Sequence, residues 1–360
     1  MTSPVTLAHI EDAARVLSGV VQHTPLDSTS FLSDLLGVPA YMKLENLQRT
    51  GSFKLRGATY RLSRLTDTER ARGVVAASAG NHAQGVAFAA RELGVDATIF
   101  MPLGAPVPKL LATKAYGATV VTEGATVDDC LALARDHAER TGAVMIHPFD
   151  HADIIAGQGT LGLEILDDVP DVETIVVSIG GGGLISGIAT AARARADAAG
   201  RRVRIVGVQA AATAAFPPSL AAGHPVTIER ASTIADGIAV ARPGDVTFPI
   251  VRDLVDEIVT VGEDDLAKAV LTLLERTKLV AEPAGAAPVA ALMAGLVEPS
   301  GPTVAVLSGG NIDPLLMQRI VAHGLVASGR YMTLRIPLPD RPGQLAHVSD
   351  VLSRAGATVI

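Results

Sequence analysis

Two stretches hold residue types that could do chemistry together. In "TGSFKLRGA", residues 50–58, Lys54 stands between Phe53 and Leu55, just after a glycine turn. Only six of the 30 basic residues are lysines, so one in an apolar setting calls for an explanation. A snorkelling side chain, with its ammonium in water, is one reading. The other is a buried amine whose pKa falls below the usual value of about 10.4, as in lysines that act as Schiff-base nucleophiles. In "SIGGGGLISGIATAAR", Gly180, Gly181, Gly182 and Gly183 fall between an apolar run and a helical pattern. Four glycines cost backbone entropy. They read either as a flexible turn or as a cradle of main-chain N–H groups at a helix N-terminus, which suits a phosphate.

The phosphate can be narrowed from the flanking residues. A P-loop ends in Gly-Lys-Ser/Thr, and Leu184 follows the glycines instead; a dinucleotide fingerprint needs glycine or alanine where Ile185 or Ser186 stands. A lone phosphomonoester on a compact cofactor fits better. Beside a Schiff-base lysine, that points to pyridoxal 5'-phosphate. In "ASAGNHAQG", residues 77–85, Ser78, Gly80 and Asn81 with the following N–H groups form a nest suited to a carboxylate, and Asn81 offers an amide to a phenolic oxygen. A helix cap alone would also explain Ser78 or Asn81. In "VAVLSGGNID", Ser308 follows an apolar run, where its hydroxyl could meet a pyridine nitrogen or simply make a turn.

These residues need elements to position them. From about residue 70 to 215, β-branched runs, glycine turns and alanine-rich helical stretches alternate, as in "GVVAASAGNHAQGVAFAARELG" and "ETIVVSIGGGGLISGIATAARARA". That alternation predicts an α/β architecture of parallel strands with helices on both faces. In such sheets ligands sit at the carboxyl ends of the strands, where the glycine turns fall. A chain of 360 residues, 48% hydrophobic and 19% charged, is long enough for two lobes. A net charge of -7 with 3% aromatic residues argues against nucleic acid. The single cysteine, Cys130, lies in an amphipathic helical pattern, reads as core filler and suits a reducing cytoplasm. Neither a signal peptide nor an apolar stretch of membrane-spanning length is read in the sequence.

The ordered motifs "KLENLQRTGSFKLRGA", "ASAGNHAQGVA", "GQGTLGLEI", "GGGGLISGIA", "EPAGA" and "LSGGNID" resemble the threonine dehydratases, threonine ammonia-lyases of the pyridoxal-phosphate fold type II group that includes the tryptophan synthase β-subunit. The resemblance covers about residues 5–325. It implies a catalytic domain over 1–325, with a large lobe of about 1–40 and 150–325 and a small lobe of about 41–149. It implies Lys54 as the cofactor-bearing lysine and α-proton base, Phe53 beside the cofactor, and Gly180–Gly183 with Leu184 at the phosphate. Asn81 would meet the ring oxygen, Ser308 the pyridine nitrogen, and Ser78, Ala79, Gly80, Asn81 and His82 the substrate carboxylate. The implied substrates are L-threonine and L-serine, in a homodimer or homotetramer. Residues 326–360 resemble a linker and the start of an ACT regulatory domain, read as strand, loop, helix and the start of a second strand. Such a domain, if complete, implies isoleucine or valine as effector. A chain stopping at Ile360, inside that second strand, leads us to expect weakened regulation.

Departures from relatives narrow the reading. Serine racemases of this group carry a second hydroxyl where Ala79 stands, so elimination should dominate over racemisation. Gln209 follows the "VGV" run where racemase-like members place a metal-binding glutamate, and no divalent site of that kind is expected. His147 and His151 are four apart with Pro148 between them, which favours a structural or surface role over metal. Glu282 and Asp236 are read as lining the cofactor pocket or as buried acids, and the five arginines of "RARADAAGRRVR" as a solvated helix end and loop. The alternatives are a serine or 3-hydroxyaspartate dehydratase, a racemase-like enzyme, a nucleotide-linked oxidoreductase and a non-catalytic amino-acid sensor.

Overall fold

A computed structural model describes residues 4–229 and 231–356. Among the described residues ten strands form two sheets: β1 (Leu26–Ser28), β2 (Ala40–Leu44), β3 (Val74–Ala77), β4 (Ala97–Met101), β5 (Thr119–Thr122), β6 (Val144–Met145), β7 (Thr174–Ser178), β8 (Arg204–Ala210), β9 (Glu257–Val261) and β10 (Thr303–Leu307). The larger sheet has the order β1-β2-β10-β7-β8-β9 and the smaller β5-β4-β3-β6. All pairings are parallel except β1 with β2. The expected α/β architecture is therefore present. β3, β7 and β10 are buried along their whole length, because helices cover both sheet faces.

β2 lies where the sequence reading drew the start of the small lobe, yet it pairs inside the six-stranded sheet, with Val304 opposite both Tyr41 and Ile175. One apolar cluster of that sheet packs Met42, Val206 and Ala305 against helices Glu263–Arg276 and Pro283–Met293; another packs Ile175, Val177 and Val304 against helix Gly183–Ala198. In the four-stranded sheet, Ala76 and Ile99 pack on Val86 and Ala89 of helix Asn81–Leu93. Cys130 is buried with Val75 and Phe100, and its thiol lies 3.2 Å from the Glu123 carbonyl.

Helix Lys54–Ser63 crosses helix Ala152–Asp168 with the backbones in contact: a Cβ on Gly157 would come 2.6 Å from the Gly57 Cα. Beneath this crossing lies a buried ionic network. Arg56 reaches Glu45 and Glu164, while Lys43, also fully buried, reaches Glu164 and Asp168.

Two sequence expectations are corrected here. Arg193, read as part of a solvated helix end, has a side chain only 13% exposed and pairs with Asp256 while donating to the Leu254 and Val203 carbonyls. The first strand read into the tail is absent: residues 331–339 carry no strand and join neither sheet, and a strand without a paired neighbour has no ladder to hold it. The helix read there is present as Gln344–Arg354, and the expected second strand at 357–360 lies outside the described residues.

Candidate active site

The carboxyl ends of β3, β7 and β10 open onto one cavity of about 840 Å³. Every residue singled out from the sequence as a site residue lines it: Phe53 and Lys54, Ser78 to His82, Gly180 to Leu184, and Ser308. Lys54 opens helix Lys54–Ser63 after a turn in which Gly51 has φ +71°, and Phe53 donates its backbone N–H to the Ser308 carbonyl at 3.1 Å. The lysine and the serine come from opposite ends of the chain. That bond, with a second from the Gly310 N–H to the Gly51 carbonyl at 2.9 Å, fixes their separation.

The Lys54 ammonium donates to the Pro148 carbonyl at 2.8 Å and lies 5.1 Å from the centre of the Phe53 ring. Burial lowers its pKa to about 8, and the Glu282 carboxylate offsets part of the fall. Glu282 is 4% exposed. Burial, with Asp236 nearby, raises its pKa to about 7, against the pull of Lys109, Asn81 and Lys54. His82 is held neutral, its pKa lowered to about 3 by burial and by the Lys54 charge. Its Nε2, 2.8 Å from the Ile146 carbonyl, therefore carries the proton.

Asn81 is clamped at both ends of its amide. Its Nδ2 donates to Glu282 Oε1 at 2.6 Å, and its Oδ1 accepts from Asn311 Nδ2 at 2.8 Å, which also donates to the Thr50 carbonyl at 2.7 Å. One Asn81 N–H is thereby left for the cavity. Ser308 Oγ lies 3.1 Å from Ser178 Oγ.

At the glycine loop, Gly182 has φ +99°, where other residues are strained. A Cβ on Gly181 would fall 2.2 Å from the Phe149 ring, so that ring, rather than phosphate alone, requires a glycine there. The N–H groups of Gly181 to Leu184 find no acceptor among the described residues, the first helical bond being Ser186 to the Gly182 carbonyl.

The remaining candidates take other places. His147 Nδ1 accepts from the Phe149 and Asp150 N–H groups, and His151 Nδ1 from Asp153, so both cap turns. Gln209 is buried and its Oε1 accepts from Phe216 N–H at 3.0 Å. Glu282 and Asp236 both line the cavity. Phe149, Ser178 and Lys109 were missed. Nothing local marks Phe149 and Lys109, whereas Ser178, which opens "SIGGGGLISGIATAAR", and Asn311, inside "LSGGNID", stood in quoted motifs without being singled out.

A lysine with a lowered pKa, a helix N-terminus with unused donors and a clamped amide in one cavity define the site of a pyridoxal-phosphate enzyme. The chain belongs to that family: the model of the family described as pyridoxal-phosphate dependent enzyme matches residues 17–309. It is 50% identical over 357 residues to an L-threonine ammonia-lyase of Geobacter sulfurreducens, covering 99% of this chain and 87% of the relative. Among solved structures it resembles the processed form of threonine deaminase isoform 2 from Solanum lycopersicum, with a TM-score of 0.83 at 36% identity over 88% of this chain and 93% of that one. Maize serine racemase is as close in shape, with a TM-score of 0.83 at 34% identity over 90% of this chain and 99% of that one.

The residues fit the cofactor. The unpaired N–H groups of Gly181 to Leu184 match a phosphate, and a neutral hydroxyl pair at Ser178 and Ser308 matches a pyridine nitrogen without imposing a charge.

Proposed function

We propose that this protein is an L-threonine ammonia-lyase that converts L-threonine to 2-oxobutanoate and ammonia, and L-serine to pyruvate and ammonia. The observation that carries the reading is Lys54: an amine with a lowered pKa, facing the same cavity as the glycine-loop donors. The likeness to L-threonine ammonia-lyases along nearly the whole chain supports it.

When bound, pyridoxal 5'-phosphate supplies an electron sink for negative charge at the substrate α-carbon. Gly180 to Leu184 would hold its phosphate, Asn81 its ring oxygen and Ser308 its ring nitrogen, with Phe53 alongside. Ser78 to His82 would hold the substrate carboxylate. Lys54 Nζ takes the α-proton, a role that its pKa of about 8 suits at neutral to mildly alkaline pH. The β-hydroxyl leaves as water, and hydrolysis of the resulting enamine releases ammonia, so no water is consumed overall. Ala79 offers only a methyl group and cannot return a proton to the face opposite Lys54.

Serine racemisation is the second reading, favoured by the likeness to the maize racemase and opposed by Ala79. We also propose a homodimer or homotetramer, a cytoplasmic location and an ACT-like start to the tail; no helix among the described residues is long and apolar enough to cross a membrane. The test is release of 2-oxobutanoate from L-threonine by the cofactor-loaded protein, beside Lys54→Ala and with D-serine formation from L-serine followed in parallel. Keto-acid release that disappears in the variant supports the lyase. D-serine forming faster than pyruvate would replace it with the racemase.

A further inference from the structure

Lys109 stands at the cavity mouth on helix Val107–Ala115, and its side chain is only 13% exposed. Its one hydrogen-bonding side-chain partner among the described residues is Asp236, at 3.3 Å and itself 60% exposed. A lysine at a rim ordinarily extends its ammonium into water. This one turns inward: the Nζ lies 3.9 Å from where a Cβ on Gly80 would stand, beside the Ser78–His82 loop. An ammonium has three donors. One exposed acceptor uses one of them and leaves two on an ammonium that sits beside the wall carrying the N-terminus of helix Asn81–Leu93.

We propose that Lys109 binds the α-carboxylate of the substrate, with Asp236 holding the ammonium until the substrate displaces it. The inference rests on the amino-acid lyase reading above and deepens it: the site takes amino acids with a free carboxylate and rejects their amides and esters. A neighbouring cation shortens and strengthens the hydrogen bonds a carboxylate receives. The exposed Asp236 pair costs little to break, because such surface pairs contribute little. Both features suit exchange of one carboxylate for another. Lys109 also acts on Glu282, whose carboxyl it draws downward, so its charge reaches the cavity interior.

The two partners give opposite signs, which separates carboxylate binding from a simple latch between the sheets. Lys109→Met should raise the KM for L-threonine by about tenfold to a hundredfold, with kcat and cofactor affinity nearly unchanged. Asp236→Asn, which frees the ammonium, should lower the KM. A latch would move both in the same direction, and that result, or a Lys109→Met change below about twofold, overturns the proposal. Calorimetric titration of the holoenzyme with L-alanine and L-alaninamide tests the same contact without turnover. Wild type should prefer the acid strongly and Lys109→Met should not. If wild type releases no 2-oxobutanoate, the lyase reading fails, while the preference for the acid still decides the role of Lys109.

Discussion

At the residue scale, Lys54 and Glu282 titrate in opposite senses, and the cofactor-free protein should show it. Burial depresses the Lys54 pKa from 10.5 to about 8, so the folded chain gives up its proton before the unfolded chain does. The stability tied to Lys54 is present above the unfolded value and is lost as pH falls through about 8. Glu282 is raised from 4.5 to about 7, so its contribution is present below 4.5 and lost as pH rises through about 7. The two slopes meet in a shallow minimum of thermal stability between those pKa values. Lys54→Met should flatten the alkaline arm and Glu282→Gln the acidic one, as read from unfolding midpoints across pH 4 to 11 (roughly the span of both titrations). An alkaline arm that persists in Lys54→Met would show that another group makes it. Lys43 is the informative contrast. It too stands among apolar residues, in "YMKLEN", but lies 2.9 Å from Glu164 and 3.0 Å from Asp168. An apolar setting alone did not distinguish the paired lysine from the one that faces the cavity.

At the element scale, the helix that begins with Lys54 is fastened two residues later by Arg56, which is fully buried and binds Glu45 at 2.8 Å and Glu164 at 2.6 Å. These contacts tie the helix to the turn after β2 and to helix Ala152–Asp168. Arg56→Met should cost about 3–5 kcal/mol, because it leaves Glu45 charged and unpaired in the interior, and adding Glu45→Gln should return part of the loss. Chemical denaturation of the three proteins checks this. A loss under about 1 kcal/mol, the scale of an exposed pair, would mean that water reaches Glu45. None of this was legible beforehand, since Arg56 and Glu164 are 108 residues apart and no local pattern announces a buried pair. The strand, turn and helix units were legible, because the sheet buries its strands as continuous apolar runs and the turns are marked by glycine. The same holds for Lys54, the glycine loop, Asn81 and Ser308, each within a short contiguous motif. Phe149 and Lys109 escaped because their roles exist only once β6 and helix Val107–Ala115 are brought against other parts of the chain.

At the scale of the whole molecule, the two sheets and the tail differ in how they are held. The cavity is closed by bonds that cross between distant segments: Phe53 to Ser308, Asn81 to Glu282, Lys54 to Pro148 and Lys109 to Asp236. Each crossing carries a group of the proposed site, so cofactor and substrate should stabilise the two-sheet body as a unit. The tail shares none of these bonds. Helix Gln344–Arg354 has no buried residue, and Met332, Leu334 and Leu345 are exposed by 72%, 61% and 73%. Apolar side chains left in water add little to the stability of the chain that carries them. A chain ending at Arg330 should therefore keep the unfolding midpoint and the threonine turnover of the full chain. Calorimetry and steady-state kinetics on the two proteins decide it: a midpoint lower by more than about 2 °C, above the shift that about 1 kcal/mol gives in a chain of this size, would show that the tail packs against the body. Of the expectations drawn from the tail's sequence, the helix is present and the first strand is not. Its helix can form from local periodicity, whereas a strand needs a second strand to pair with, which local sequence does not supply.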